Sequence, residues 1–247
     1  MMKPLAAVVA LTLTCCALAS CGKSEIEESL TVFAAASLKK SFEKIGKDFE
    51  EKTGTAVTLN FAGSSGLVEQ MKSGAQAQVF ASADEPTMDS ASQAGLVQDP
   101  QIFATNTLAI AVPEGNPANI TDLESLVRPD VTVAVCAPAV PCGNATKQVM
   151  DLAGVSFSPA TEESKVTAVL TKVESGQVDA GLVYVTDARA SDTVEAVDFP
   201  QAAEVVNRYP IAVTSQGGKT ARAAQFVEFV LSERAQQELR SNGFGQP

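Results

Sequence analysis

The chain has 247 residues, enough for two domains of about 100–150 residues each. Apolar residues form 45% of it, which is typical of a globular protein, and the formal net charge of −11 disfavours nucleic acid and anionic lipid as partners. Histidine is absent, which excludes a Ser-His-Asp triad, a Cys-His pair and a His-ligated zinc or iron site. Most hydrolases and metalloenzymes are excluded with them.

Residues 1–20 are predicted to be a lipoprotein signal peptide. Lys3 provides the positive start, an apolar run covers 5–18, and Leu18-Ala19-Ser20-Cys21 resembles a bacterial lipobox. The apolar run is too short to span a membrane as a helix. The resemblance implies cleavage before Cys21 and acylation of that cysteine, and the alternative is secretion with a free Cys21. Residues 21–29 are polar and acidic, as expected of a tether.

Beyond the tether, the chain alternates predicted strands and helices. Strands are predicted at 30–35, 57–61, 79–83, 108–112, 131–135, 181–185 and 205–213. Helices are predicted from 37 to 53, after 63–66, and at 120–127, 143–153, 165–174 and 219–240, the last in two pieces that meet at 232. This alternation indicates an α/β fold with mostly parallel sheets and helices on both faces.

Two cysteines remain after the signal peptide and Cys21. Cys136 and Cys142 flank a short segment that Pro138 and Pro141 stiffen. In an oxidising compartment such a pair predicts a local disulfide. Metal binding is the weaker interpretation, because a structural zinc site needs about four ligands.

Three strand-to-helix turns, at 34–37, 63–66 and 141–143, carry small or hydroxylic residues. In α/β folds such turns lie at the carboxyl ends of strands, where ligands bind. Each places unpaired backbone N–H groups at a helix N-terminus, which attracts an anion. The alternative is that Ser37, Ser64 and Ser65 simply cap their helices, since serine is a preferred cap.

Five motifs, in order, resemble those of the periplasmic molybdate-binding protein family, ModA. They lie at 32–38, 61–67, 79–84, 140–143 and 165–184, and the similarity runs from residue 30 to the C-terminus. The resemblance implies a type II periplasmic-binding-protein fold, in which two α/β lobes with mostly parallel sheets are joined by two crossover strands. On this basis lobe one would comprise 30–106 plus 210–247, and lobe two 107–209.

The resemblance also implies a set of ligand-binding residues for a molybdate oxyanion. Ser37 and Ser64 would each donate a hydroxyl and a backbone N–H, Cys142 and Val166 would donate backbone N–H groups, and Tyr184 would donate its phenol. Taken alone, Val166 would be assigned to the core and Tyr184 to a strand packed beside the sheet.

Two residues depart from the family's pattern. Cys142 stands where alanine is common, a change that a backbone donor tolerates, and its pairing with Cys136 would hold the turn rigid. Gly63 stands where serine is common, which would alter how that loop approaches the ligand.

The implied function is that of a lipid-anchored, extracytoplasmic receptor of an ABC importer, which binds molybdate or tungstate and delivers it to a membrane permease. The expectation includes no enzymatic activity, no cofactor, no direct metal ligands, no nucleic-acid partner and a monomeric state. The main alternative is a receptor of the same fold for another tetrahedral oxyanion, sulfate or phosphate. None of the five predicted ligand residues is acidic, which favours a fully deprotonated dianion.

Two further alternatives are weaker. The segment from Ser37 to Lys40 fits the Ser-x-x-Lys signature of penicillin-binding proteins, but the rest of that signature is incomplete. An iron(III) receptor would be expected to use adjacent tyrosines, whereas Tyr184 and Tyr209 are well separated in the sequence.

Overall fold

The computed structural model describes residues 29–217 and 221–247. The predicted signal peptide, Cys21 and residues 22–28 of the predicted tether lie outside the described residues, as does the predicted start of the last helix at Lys219. Across the described ranges, no helix has both the length and the apolar character needed to cross a membrane.

Strands and helices alternate along most of the chain. The strands are β1 Ser29–Ala35, β2 Ala56–Ala62, β3 Val79–Ala81, β4 Val97–Asn106, β5 Leu108–Pro113, β6 Val133–Cys136, β7 Thr161–Glu163, β8 Ala180–Tyr184, β9 Val194–Val197 and β10 Asn207–Thr214. The helices are α1 Lys39–Thr53, α2 Ser64–Lys72, α3 Glu85–Gln93, α4 Pro141–Ala153, α5 Val166–Glu174, α6 Val185–Ala190, α7 Ala221–Leu231 and α8 Glu233–Ser241. Short 3₁₀ helices occupy Ala36–Leu38, Glu124–Val127 and Pro200–Glu204.

The strands form two five-stranded sheets with the same plan. Lobe one is built on the order β2-β1-β3-β10-β4 and lobe two on the order β7-β6-β8-β5-β9. In each sheet the first three strands pair in parallel, and the fourth pairs antiparallel with both of its neighbours. Four strands of each sheet therefore run in one direction, which confirms the predicted two-lobed, mostly parallel α/β fold.

The chain crosses between the sheets twice. It leaves lobe one at Asn106, the last residue of β4, and enters lobe two at Leu108, the first residue of β5. It returns with β10, which pairs with β4 from Asn207 opposite Asn106 onward. These two asparagines therefore lie side by side where the crossing strands leave lobe one. The predicted division between 209 and 210 falls within β10, which continues through Pro210 with a shift of register beside it.

The core of lobe one joins segments that are far apart in the sequence. Leu38, Phe42, Ile45 and Phe49, whose spacing predicts α1, are all buried. The Phe226 ring of α7 lies 6.3 Å from that of Phe42 and 5.2 Å from that of Phe49, in edge-to-face contacts. Each such contact contributes about 0.5–1.5 kcal/mol beyond the burial of area. These contacts hold the C-terminal helices on the lobe that the N-terminal strands begin.

The predicted helix at 120–127 is wrong: residues 120–123 are not helical, and Glu124–Val127 forms a 3₁₀ turn instead of an α-helix. The side chain of Asn116 accepts a hydrogen bond from the Ile120 N–H at 2.9 Å and donates one to the Ile120 carbonyl at 2.8 Å. Asp122 accepts a hydrogen bond from the Ser125 N–H at 2.8 Å. These side chains satisfy the backbone locally, and an α-helix is no longer required to do so.

Candidate functional site between the lobes

A small cavity lies between the lobes at the carboxyl ends of strands from both sheets. All five predicted ligand residues line it. Its walls are formed by Ala35, Ala36, Ser37, Gly63, Ser64, Ala83, Val140, Pro141, Cys142, Lys165, Val166 and Tyr184. The cavity has a volume of about 10 Å³, which is room for about one water-sized species.

Four helical segments begin at the cavity wall: the 3₁₀ turn that precedes α1, and α2, α4 and α5. Within the described residues, none of the four has a side chain that caps its first N–H groups. By contrast, α3 is capped by Asp84, which accepts a hydrogen bond from the Thr87 N–H at 3.1 Å. Ser37 and Ser64 therefore do not serve as caps. Uncapped N–H groups and the positive ends of the helix dipoles make this wall attractive to an anion.

Both serine side chains are buried and hydrogen-bonded. The Ser37 Oγ lies 3.0 Å from the Tyr209 hydroxyl, and the Ser64 Oγ accepts a hydrogen bond from the Ala83 N–H at 3.0 Å. Lys40, the other member of the Ser-x-x-Lys match, is exposed. The hydroxyl of Ser37 is thus paired with a phenol instead of the amine that acylation chemistry in penicillin-binding proteins would need.

Tyr184 contributes the one aromatic side chain among the residues that line the cavity. Its hydroxyl accepts a hydrogen bond from the Asn207 Nδ2 at 3.1 Å, and its ring lies 5.9 Å from that of Tyr209. Burial raises the pKa of Tyr184 well above its ordinary value, and burial also raises the pKa of Tyr209. Both phenols therefore keep their hydrogens at any physiological pH and can donate them.

A disulfide joins Cys136 to Cys142, with 5.7 Å between their Cα atoms, and confirms the predicted pairing. It links the end of β6 to the first turn of α4, which carries the Cys142 N–H. The turn is tightly packed, because a Cβ placed on Gly143 would lie 2.0 Å from the Ala137 carbonyl oxygen. Cys142 and Val166 are each 3% exposed. Rigid, buried backbone is a suitable source of fixed N–H donors.

Gly63 lies where the two lobes approach each other. A Cβ built on it would stand 2.2 Å from the Ser164 carbonyl oxygen and 2.8 Å from the Val140 Cγ1, both in lobe two. No side chain fits there in this arrangement, and the serine common in the family would not fit either. The glycine therefore permits the close approach of the two lobes beside the cavity.

No carboxylate lines the cavity among the residues that the structure describes. The buried carboxyl of Asp187 lies behind the wall and accepts a hydrogen bond from the Tyr184 N–H at 3.2 Å; burial raises its pKa to about 7, and that hydrogen bond opposes the rise. Lys39 is exposed and pairs with Glu43 at 3.8 Å. In the same described ranges, no cluster of three or more His, Cys, Asp or Glu side chains could hold a metal ion.

The sequence motifs did not reveal three polar residues behind the cavity: Asn106, Asn207 and Tyr209. Each is buried in or beside the crossing strands. Asn207, followed by Arg208 near the start of a mainly apolar predicted strand, was the one available signal, since a polar side chain that becomes buried needs a hydrogen-bond partner.

The sequence profile of the bacterial extracellular solute-binding protein family matches residues 30–245. The molybdate-binding protein ModA of Mycobacterium tuberculosis H37Rv is 47% identical over 229 residues, which cover 92% of this chain and 88% of that protein.

Solved structures show the same fold. The Azotobacter vinelandii periplasmic molybdate-binding protein superposes with a TM-score of 0.74 and 21% identity, over 88% of this chain and 99% of that one. The sulfate-binding protein SubI of M. tuberculosis H37Rv gives a TM-score of 0.73 and 21% identity, over 88% of this chain and 86% of that one. Proteins named for two different oxyanions therefore share the fold, so the fold alone does not identify the ligand. The family binds solutes and does not transform them, so this protein is not an enzyme. The chain belongs to the bacterial extracellular solute-binding protein family and, within it, to the ModA group.

Proposed function

We propose that this protein is the extracytoplasmic receptor of an ABC importer, which binds molybdate or tungstate between its lobes and delivers it to the membrane permease. The observation that carries the proposal is the meeting of all five predicted ligand residues at one cavity, among four uncapped helix starts. The 47% identity to a protein named for molybdate supports the choice of ligand.

The anion would be held by neutral donors. Ser37 and Ser64 would give hydroxyl and backbone N–H groups, Tyr184 its phenol, and Cys142 and Val166 their backbone N–H groups. Oriented dipoles of this kind, together with the helix N-termini, balance a dianion in a site from which water is excluded. The ion would bring molybdenum only as part of the oxyanion, with no protein atom bound to the metal.

Binding and release would follow the movement of the lobes. Ser37 and Ser64 belong to lobe one, and Cys142, Val166 and Tyr184 belong to lobe two. Because only the closed state completes the set of donors, the ligand would stabilise that state selectively. The permease would then receive the ion when the lobes separate.

Selectivity against sulfate would come from size. A rigid ring of donors set for the larger molybdate ion could not contract around sulfate without losing hydrogen bonds. Each buried donor left unpaired costs about 1–3 kcal/mol, so two or three such losses would weaken sulfate binding by several orders of magnitude. A sulfate or phosphate receptor is the second candidate, and the likeness to a sulfate-binding fold favours testing sulfate in particular.

Titration calorimetry with molybdate, tungstate, sulfate and phosphate tests the ligand. We expect molybdate and tungstate to bind far more tightly than the other two. If sulfate bound as tightly as molybdate does, the proposed molybdate receptor would be replaced by the second candidate, a sulfate receptor. Scattering should show a smaller radius of gyration with molybdate, whereas an unchanged radius would contradict ligand-driven closure.

The proposal includes a lipid anchor at Cys21, cleavage of residues 1–20 and a monomeric receptor domain. The lipobox-like Leu18-Ala19-Ser20-Cys21 and the family's extracellular character support it. Cys21→Ala should release the protein from membranes, and mass spectrometry of the native protein should show an acylated Cys21 at the N-terminus. An unmodified Cys21 would refute the anchor.

A further inference from the structure

The three hydroxyls at the cavity share one property: each lies within hydrogen-bond distance of a polar group behind the wall. For Ser64 the donor is the backbone N–H of Ala83, at 3.0 Å. A backbone N–H can only donate, so the Ser64 oxygen must accept. The hydrogen of the Ser64 hydroxyl is therefore left to point elsewhere, and the cavity lies beside it.

For Tyr184 the hydrogen-bond donor behind the wall is the side chain of Asn207. Its Nδ2 lies 3.1 Å from the Tyr184 hydroxyl and 3.0 Å from the Ala83 carbonyl oxygen. Because a carbonyl oxygen can only accept, the amide atom beside it must be the nitrogen, which fixes the orientation of the amide. Asn207 therefore donates to the Tyr184 oxygen, and the phenolic hydrogen is free for another acceptor.

Two residues, Asn106 and Tyr209, form a hydrogen-bonded chain that ends at the Ser37 hydroxyl. The Oδ1 of Asn106 accepts a hydrogen bond from the Thr107 N–H at 3.0 Å, so its Nδ2 faces the Thr186 Oγ1 at 2.8 Å and the Tyr209 hydroxyl at 3.4 Å. With its oxygen accepting from Asn106, Tyr209 can donate its hydrogen to the Ser37 Oγ, 3.0 Å away. The Ser37 hydroxyl is then also left as a donor.

Backbone carbonyls at the helix starts are turned away from the cavity. Those of Gly63, Val140 and Lys165 accept hydrogen bonds from Leu67, Asn144 and Ala168 inside their own helices. The Ala83 carbonyl accepts from Asn207. Among the described residues the wall also contains no carboxylate or side-chain amide. The described wall thus offers several hydrogen-bond donors, and its side-chain acceptors are hydroxyl oxygens that already have a hydrogen-bond partner behind the wall.

We propose that Asn207 and the Asn106–Tyr209 pair are positioning residues that, with the Ala83 N–H, fix the three cavity hydroxyls as donors, so that the site takes a fully deprotonated oxyanion and rejects a protonated one. The inference rests on the proposed function, since it concerns how the same cavity binds an oxyanion. A protonated oxyanion such as hydrogen phosphate would bring a hydrogen that meets no carboxylate or amide oxygen, and a hydroxyl could accept it only by turning its own hydrogen away from the anion, which is costly.

One competing arrangement lies within the same cluster. The Tyr184 and Tyr209 hydroxyls interact with each other, so the Tyr184 hydrogen has a neutral acceptor as well as the cavity. A hydrogen bond to an anion is roughly twice as strong as one between neutral groups. An oxyanion in the cavity would therefore draw the Tyr184 hydrogen towards itself.

A double-mutant cycle tests the role of Tyr209, with molybdate binding measured by calorimetry. Tyr209→Phe should weaken binding about 10-fold, because the Ser37 hydroxyl is no longer held as a donor. In the Ser37→Ala background the same change should no longer weaken binding, because Ser37 is gone and the change removes only the neutral acceptor that competes for the Tyr184 hydrogen. An equal loss in both backgrounds would show a merely structural role and overturn the inference for Ser37.

The ratio of sulfate to phosphate affinity tests Asn207, because these two oxyanions are similar in size and differ in protonation at neutral pH. The wild-type protein should bind sulfate at least about 10-fold more tightly than phosphate. Asn207→Asp replaces a donor by an acceptor, turns the Tyr184 hydrogen away from the cavity and should reduce that ratio about 10-fold.

Asn242→Asp is the matched control. It places the same charge in the adjoining groove beside Ser37 without touching a cavity hydroxyl, and it should leave the ratio unchanged. Equal ratios for Asn207→Asp and Asn242→Asp would overturn the inference for Tyr184. Failure of the wild-type protein to bind molybdate would instead overturn the proposed function, and the sulfate-to-phosphate ratio would still report on the direction of the hydroxyls.

Discussion

The two lobes share one sheet plan but offer different kinds of donor to the cavity between them. In the proposed site, lobe one would offer the hydroxyls of Ser37 and Ser64 beside their own backbone N–H groups, whereas lobe two would offer the N–H groups at the start of α4 at Cys142 and the start of α5 at Val166, and one phenol. A hydroxyl can rotate and therefore needs neighbours that set its direction. A backbone N–H is already fixed by its helix. Affinity should therefore depend on side-chain hydrogen bonds in lobe one, and on closure and backbone rigidity in lobe two.

The largest expected effect comes from preventing the lobes from meeting. Gly63→Ala would place a Cβ 2.2 Å from the Ser164 carbonyl oxygen, so lobe two would have to move away from lobe one. Losing two of its donors, at about 1–3 kcal/mol each, should weaken molybdate binding roughly 1000-fold. Calorimetry measures the loss, and scattering with molybdate should show no compaction.

Gly66→Ala is the matched control for that substitution. It lies in α2, where an added Cβ would have no other described atom within 4 Å outside its immediate neighbours, and it should leave binding unchanged. Wild-type affinity in Gly63→Ala would mean that the closed arrangement is not the binding state.

Lobe two also contains a buried acid whose ionisation should limit stability. The pKa of Asp187 is raised to about 7, so the folded state binds this proton more tightly than the unfolded chain does. Stability is then lost as the pH rises from about 4 to 7. Asp187→Asn, which cannot ionise, should gain ~2–3 kcal/mol over the wild-type protein between pH 5 and pH 8.

Urea denaturation at the two pH values measures this gain. Asp89→Asn, on an exposed position of α3, is the surface control. A stability difference between Asp187→Asn and the wild-type protein that does not change with pH would contradict a buried, titrating carboxyl.

Single side-chain donors come next. Ser37→Ala or Tyr184→Phe should each cost about 1.5–3 kcal/mol, the range for hydrogen bonds to charged groups, or roughly 10- to 150-fold in molybdate affinity. Lys39 is exposed, and Lys165 is half-buried at the cavity wall; we expect both ammonium groups to point to solvent and be screened, so that Lys39→Ala and Lys165→Ala cost much less. Calorimetry on the four variants at two salt concentrations compares them. Loss of binding in the lysine variants alone would require a charge-paired site.

The smallest effect should come from the disulfide of lobe two. A loop as short as the one from Cys136 to Cys142 restricts the unfolded chain modestly, so reduction should lower the free energy of unfolding by about 2 kcal/mol. Molybdate affinity should fall as the turn that carries the Cys142 N–H loosens. Two free thiols in denatured, non-reduced protein would contradict the disulfide in solution.

The sequence by itself determined those features that depend on residues close together in the chain. The apolar spacing of Phe42, Ile45 and Phe49 predicts α1, and all three side chains are buried. The break predicted at Ser232 separates α7 from α8. The pair Cys136 and Cys142 is close enough in the chain for its disulfide to be predicted from spacing and compartment. The predicted ligand residues came from the resemblance of five ordered motifs to a known family, which composition and periodicity alone do not provide.

Some elements were not predicted because pairing partners, and not local pattern, create them. In β4 the residues from Gln98 to Gln101 are exposed and show no apolar alternation, yet Gln98 and Gln101 pair with β10 on either side of a register shift. Likewise α3 and β9 have no strong periodic signal, and β9 forms beside β5 in the sheet of lobe two. Strand propensity depends on neighbouring strands, so such segments become recognisable only after the chain has folded.

Only the tertiary structure shows which groups contact the cavity hydroxyls and why the two lobes can approach each other closely at Gly63. The Ser37–Tyr209 contact joins residues 172 positions apart, and the bond from Asn207 to the Ala83 carbonyl joins residues 124 apart. Nothing local in the sequence encodes such pairs, because the crossing strands bring them together. Gly63 appeared in the sequence only as a departure from a family pattern. Its role follows from the Ser164 carbonyl oxygen of the opposite lobe, which leaves no room for a Cβ.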